Sequence, residues 1–70
     1  MIVLDLNSFG QNFGRLVRER RGIEQLSLDD LARISELAKS HISIIENGKV
    51  HNPQAKTVDA LCVALNISRK

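Results

Sequence analysis

Tryptophan and tyrosine are missing from this 70-residue chain, and two phenylalanines supply all of its aromatic surface. Proteins that hold single-stranded nucleic acid without sequence preference stack bases on aromatic rings, so that mode has little to work with here. One cysteine, Cys62, excludes an internal disulfide framework and is too few for a zinc cluster on its own. No apolar run is long enough for a membrane span, and no charged segment leads into an apolar core as a secretory leader would. A cytoplasmic protein with no membrane partner fits these absences. Enzyme motifs are missing as well: no HExxH, no glycine loop that cradles phosphate, and no Ser/His/carboxylate set in its usual local forms. No catalytic residue, cofactor or metal is therefore expected. Cys62 falls on an apolar helical stripe and reads as a buried core residue.

What is present is a small domain with its charges segregated. Seventy residues allow one domain, which buries only about 60% of its extended-chain surface and so has a small stability margin. The net charge is +2, but Arg15, Arg18, Arg20 and Arg21 crowd one segment, Asp29, Asp30 and Glu36 the next, and Lys39 to Lys56 is positive again. Such a balance permits a nucleic-acid partner without demanding one. Scarce aromatic rings argue against a single-stranded partner, and duplex DNA fits better.

The chain is organised around Ser27–Gly48, SLDDLARISELAKSHISIIENG. Ser27 and Asp30 stand at capping-box spacing and open a helix. Leu31, Ala32 and Ser35 share one of its faces, a strip small enough for a second helix to cross closely. Ser35-Glu36-Leu37 suits a tight turn. Ile42 and Ile45 then face inward with Leu37, and Gly48 ends the second helix. Lys39, Ser40, Ser43, Ile44 and Asn47 are left on the outside. Two helices in this relation form a helix-turn-helix, whose second helix enters the DNA major groove. Taken alone, a cap, two amphipathic helices and a terminal glycine also occur in many all-α proteins.

In Ser27, Leu31-Ala32, Leu37, Ile42-Ser43, Ile45-Glu46 and Gly48, all in register, this segment resembles the Cro and phage-repressor (XRE) family of bacterial helix-turn-helix regulators. The likeness extends from about Phe13 to Ser68, through Val17–Ser27, the Asn52-Pro53 step, Thr57-Val58 and the run Ala64-Leu65-Asn66-Ile67-Ser68. It implies an all-α, compact, lambda-repressor-like domain of four to five helices over residues 9–70, after an N-terminal arm at 1–8. It also implies that Arg21 pairs with Glu46, a bidentate contact that would fix the helices relative to one another. The chain departs from the pattern at several places. Gln25 stands where the family usually has Gly, which predicts a different helix exit. Leu28 replaces a Gln that clamps the DNA backbone, leaving only its N–H. Ala38 replaces a capping Ser or Thr, and Glu36 holds a turn position where the family has Gly.

The resemblance implies that base reading falls to Lys39, Ser40, Ser43 and Ile44. Lysine can donate to guanine, serine pairs with several bases, and Ile44 can touch a thymine methyl. Lys39 sits in the first helical turn, where the dipole disfavours a cation, and Ala38 is a poor cap. Both choices suggest function over stability. Backbone contacts are assigned to Ser27, Leu28, His41, Asn47, Lys49, His51 and Asn52. The rival reading is a protein-interaction module that uses the Ile44 face, and a third is the DNA-binding domain of a longer sensor protein.

The flanks add scaffold. Ser8 and Gln11 are spaced as a capping pair, so a first helix is expected from about Phe9, with Phe9, Phe13, Leu16, Val17 and Arg20 inward. Gly10, Gly14 and Gly22 are expected to weaken it, and the GxxxG spacing of the first two carries no meaning outside a membrane. Pro53 is suited to begin a helix that buries Val58, Leu61, Cys62 and Leu65. Asn66 can adopt the left-handed exit and Ser68 can cap a fifth helix. A homodimer on a palindromic site is expected, with Leu65, Asn66, Ile67 and Ser68 as its contact surface. The Met1–Leu6 segment either folds onto the core or adds a dimer strand.

Overall fold

A computed structural model describes residues 8–67. Four helices follow one another: α1 (Ser8–Ile23), α2 (Leu28–Ser35), α3 (Lys39–Glu46) and α4 (Ala55–Ala64). The fold is all-α. The Met1–Leu6 arm and the fifth helix from Ser68 fall outside the described residues.

Local chemistry sets the helix ends. Ser27 is extended, and its hydroxyl accepts from the Asp30 N–H at 3.0 Å while its own N–H donates to the Asp30 carboxylate at 3.1 Å. Two orphan donors are satisfied at once. The N–H of Ser27, a hydrogen bond from Arg33 and the Ser27 hydroxyl together hold the Asp30 carboxyl below its usual range. At the other end of α2, Glu36 adopts the left-handed conformation (φ 61°, ψ 31°) and Leu37 N–H returns to the Ala32 carbonyl at 3.2 Å. The chain thereby turns sharply into α3. Ala38 caps α3 with no side-chain bond. Gly48, at φ 74°, closes the helix, and the N–H groups of Gly48 and Lys49 return to Ile45 and Ile44 at 3.0 and 3.2 Å.

The core is formed by Phe13 and Val17 of α1, Leu31 of α2, Ile42 and Ile45 of α3, and Leu61, Cys62 and Leu65 at and after α4. Helix α3 packs on α1 and α2, and α4 packs on α2. Thr57 is buried too, which its polarity conceals in the sequence.

Helix α1 starts at Ser8, within a residue of the expected start. Several expectations are corrected. The inward face of α1 is narrower than the apolar spacing implies: Phe13 and Val17 are buried, but Phe9 is 50% and Leu16 38% exposed, with the Phe9 ring stacked on Phe13 at 5.9 Å. Arg20 is half-buried and reaches Glu24 at 3.2 Å and the Leu65 carbonyl at 3.4 Å, so it tethers α1 to the end of α4. Gln25 does not change the exit from α1. It takes the left-handed conformation itself (φ 58°), as Asn66 does after α4 (φ 59°). Pro53 is not the first residue of α4. Gln54 is the extended N-cap, and Pro53 lies just outside with its apolar ring buried. Leu65 cannot belong to a contact surface because it is fully buried in its own core, whereas Asn66 is exposed.

Gly10 and Gly14 are the largest correction. They do not merely weaken α1; they are where it touches the rest of the molecule. A β-carbon at Gly14 would fall on the Ile45 carbonyl oxygen, and one at Gly10 on the Val50 carbonyl oxygen with the His51 α-carbon at 2.7 Å. Backbone meets backbone at both points, which only a residue without a side chain permits. The GxxxG spacing thus sets two glycines one turn apart on the face that meets the end of α3 and its exit loop.

Candidate nucleic-acid interface

The candidate surface is built on α3 and held from behind. Ile42 and Ile45 fill the core, so their opposite face is turned out. On it Lys39, Ser40 and Asn47 are exposed, Ser43 is half-buried and Ile44 is 45% exposed. These five lie at i, i+1, i+4, i+5 and i+8, two adjacent rows on one face of α3 and its C-cap. The Asn47 side-chain amide donates to the Ser43 carbonyl at 2.9 Å, which fixes the end of that face.

Lys39 differs from its description in the sequence. Its ammonium lies 3.2 Å from the Asp29 carboxylate of α2. Asp29 therefore offsets part of the unfavourable dipole at this first-turn cation. Both groups are well exposed, so the pair contributes little to stability, but the position of Lys39 alone no longer argues for function over folding.

Ser27 and Leu28 open α2, with Ser27 exposed and Leu28 partly buried against the core. His41 is half-buried in the first turn of α3. Lys49, His51 and Asn52 are exposed in the loop between α3 and α4, a loop braced from below by Gly10 at Val50 and His51. The structure thus brings Lys39, Ser40, Ser43, Ile44 and Asn47 onto one face and sets the other candidates around its margins.

Arg21 ties this surface to the scaffold. Its Nε and Nη2 donate to the two Glu46 oxygens at 2.7 and 3.1 Å, and Nη1 donates to the Leu26 carbonyl at 3.0 Å. Glu46 is nearly buried, with 6% of its side chain exposed. The hydrogen bonds to Glu46 raise the Arg21 pKa against the opposing effect of burial. One guanidinium thereby joins α1, the lead-in to α2 and the end of α3.

A polar recess beside the surface escaped the sequence reading. It is lined by Gln11, Arg15 and Arg18 of α1 and by Glu46, Asn47 and Gly48. Its signal was available as a polar row at i, i+4 and i+7 on a helix whose glycines face α3. Among the described residues no group of three or more His, Cys, Asp or Glu side chains could hold a metal ion, and no helix is long and apolar enough to cross a membrane.

A family model described as a helix-turn-helix domain matches residues 12–70. The chain belongs to that family. Its helix-turn-helix is the α2–turn–α3 unit closed by Glu36. The domain is also similar to an uncharacterized HTH-type transcriptional regulator, RghRB, of Bacillus subtilis strain 168, with 36% identity over 55 residues. That match covers 79% of this chain but 40% of the relative, so the helix-turn-helix domain corresponds to less than half of the longer protein.

Proposed function

We propose that this chain binds duplex DNA in a sequence-dependent way, as part of a cytoplasmic transcriptional regulator, with α3 lying in the major groove. The observation that supports this most is the outward face of α3, polar at four of five positions, on a helix-turn-helix domain similar to a protein named as a transcriptional regulator. Lys39, Ser40, Ser43 and Ile44 read base edges. Ser27, the Leu28 N–H, His41, Asn47, Lys49, His51 and Asn52 contact phosphates. Lys39 exchanges Asp29 for a base as it binds.

Two substitutions separate these roles. Lys39→Ala is expected to relax preference at one base position and to cost about 1–3 kcal/mol on a site chosen by randomised-duplex selection. Lys49→Ala is expected to weaken all sequences alike and to lower the salt slope of binding by about one. Identical effects of both changes on selected and random duplex would reject the assignment.

Ile44, 45% exposed in the middle of the outward face, favours a second reading in which this face grips a protein. Salt decides between them, since DNA affinity falls steeply as salt rises.

One eight-residue helix reaches only a few base pairs, too little to select a site among a genome's competitors. The DNA-bound unit is therefore a homodimer on a palindrome with half-sites about one helical turn apart. Footprinting should show two protected half-sites. A single protected half-site with one chain per duplex at saturation would exclude the dimer.

A further inference from the structure

Of the residues that line the recess between α1 and the end of α3, only Asn47 has a part in the DNA contacts proposed above. Gln11, Arg15 and Arg18 lie at i, i+4 and i+7 and form one row along α1. That spacing normally carries the apolar stripe of an amphipathic helix. Here it carries an amide and two exposed arginines.

The charge in this recess is uncompensated. Glu46 is its one acidic lining residue, and both of its oxygens already accept from Arg21. The ion pairs among the described residues engage Arg20, Arg21, Arg33 and Lys39, and none engages Arg15 or Arg18. Two like charges three residues apart repel each other, so the pair is unfavourable on the surface of α1 taken by itself. The main-chain N–H groups of Gly48 and Lys49 are spent on Ile45 and Ile44, which leaves side chains as the donors. Asn47 lines the recess and also ends the outward face of α3. The recess therefore opens onto the margin of the base-reading surface.

We propose that Arg15 and Arg18 seat the backbone phosphates of a DNA strand flanking the major-groove contact, with Asn47 at the junction. A guanidinium presents its donors in a planar fork that matches phosphate oxygens two at a time. This assignment rests on the proposed duplex binding and adds about two phosphates to it.

The test is the salt dependence of duplex binding by the full chain and its Arg15→Gln/Arg18→Gln variant, on a random and a selected duplex. The double variant should lower the slope by about two, at roughly 0.9 per phosphate. Affinity at low salt should fall on the order of tenfold or more, by the same factor on both duplexes. Its thermal midpoint should match the wild type, and Lys56→Gln, which removes a cation outside the proposed interface, should leave the slope unchanged. An unchanged slope in the double variant, or a slope lowered as much by Lys56→Gln, overturns the assignment. So does a large fall in thermal midpoint with unchanged slope, which would mean the arginines only offset the negative end of the α3 dipole. A wild-type chain that binds no duplex at all overturns the proposed function itself.

Discussion

Alanine at Gly14 is expected to cost the fold about 3 kcal/mol, the upper part of the range for overpacking, whereas alanine at Gly22 should add roughly 0.5–1 kcal/mol. Both positions lie in α1, so helix propensity favours alanine at each. Their neighbours reverse the sign at one of them. At Gly14 the added carbon meets the Ile45 carbonyl oxygen, the Ile45 carbonyl carbon at 3.1 Å and the Glu46 oxygen at 3.4 Å. All three are main chain of α3 and cannot swing aside as a side chain would. Helix α1 would have to lift away, loosening Phe13 and Val17 from the core. At Gly22 nothing lies within 4 Å. A domain of this length has a total stability of about 4–10 kcal/mol by the usual per-residue figure, so the first change removes a large share. Urea unfolding of the two variants measures both effects, and equal stability would mean that α1 and α3 do not meet through their backbones.

Removing the carboxylate of Glu46 should be comparably severe. In Glu46→Ala the Arg21 guanidinium keeps its charge and its partly buried position but loses both oxygen acceptors, at 2.7 and 3.1 Å. Breaking one side of such a pair costs about 3 kcal/mol or more, because the remaining charge is left unmatched. Replacing both members should cost far less, since Arg21→Met/Glu46→Leu leaves no stranded charge. The expected order in urea midpoint is wild type near the double variant, with Glu46→Ala well below both. If Glu46→Ala unfolds no more easily than Lys49→Ala, a change in an exposed loop, the pair contributes nothing to stability.

The helix-turn-helix was legible because its signals are local. Ser27 and Asp30 advertise a cap three residues apart, and Ile42, Ile45 and Gly48 state which face is inward and where the helix ends. The fourth helix was legible from its stripe, Leu61, Cys62 and Leu65. What escaped depends on partners distant in sequence. Gly10 and Gly14 look like weak points until Val50, His51 and Ile45 are brought against them. Phe9 and Leu16 fit an inward stripe by spacing, but α1 offers the core too narrow a strip to take them. Lys39 looked unfavourable at a helix start because Asp29, ten residues earlier, could not be placed beside it. Gln25 illustrates a different limit: a missing glycine suggests a changed backbone, yet a side chain was accommodated at positive φ.

The brevity of α3 has a consequence for how the proposed base preference would be transferred. It has eight residues and no side-chain cap, well short of the roughly 12–15 residues an isolated helix needs to persist in water. Its helical shape is lent by Ile42, Ile45, the Arg21 tie and the Gly14 contact beneath its end. A peptide carrying residues 39–46 would hold the right side chains in no fixed relation to each other. The outward face is thus a property of the whole domain. Its preference should travel only as side chains grafted onto another scaffold that already holds such a helix, never as a free segment.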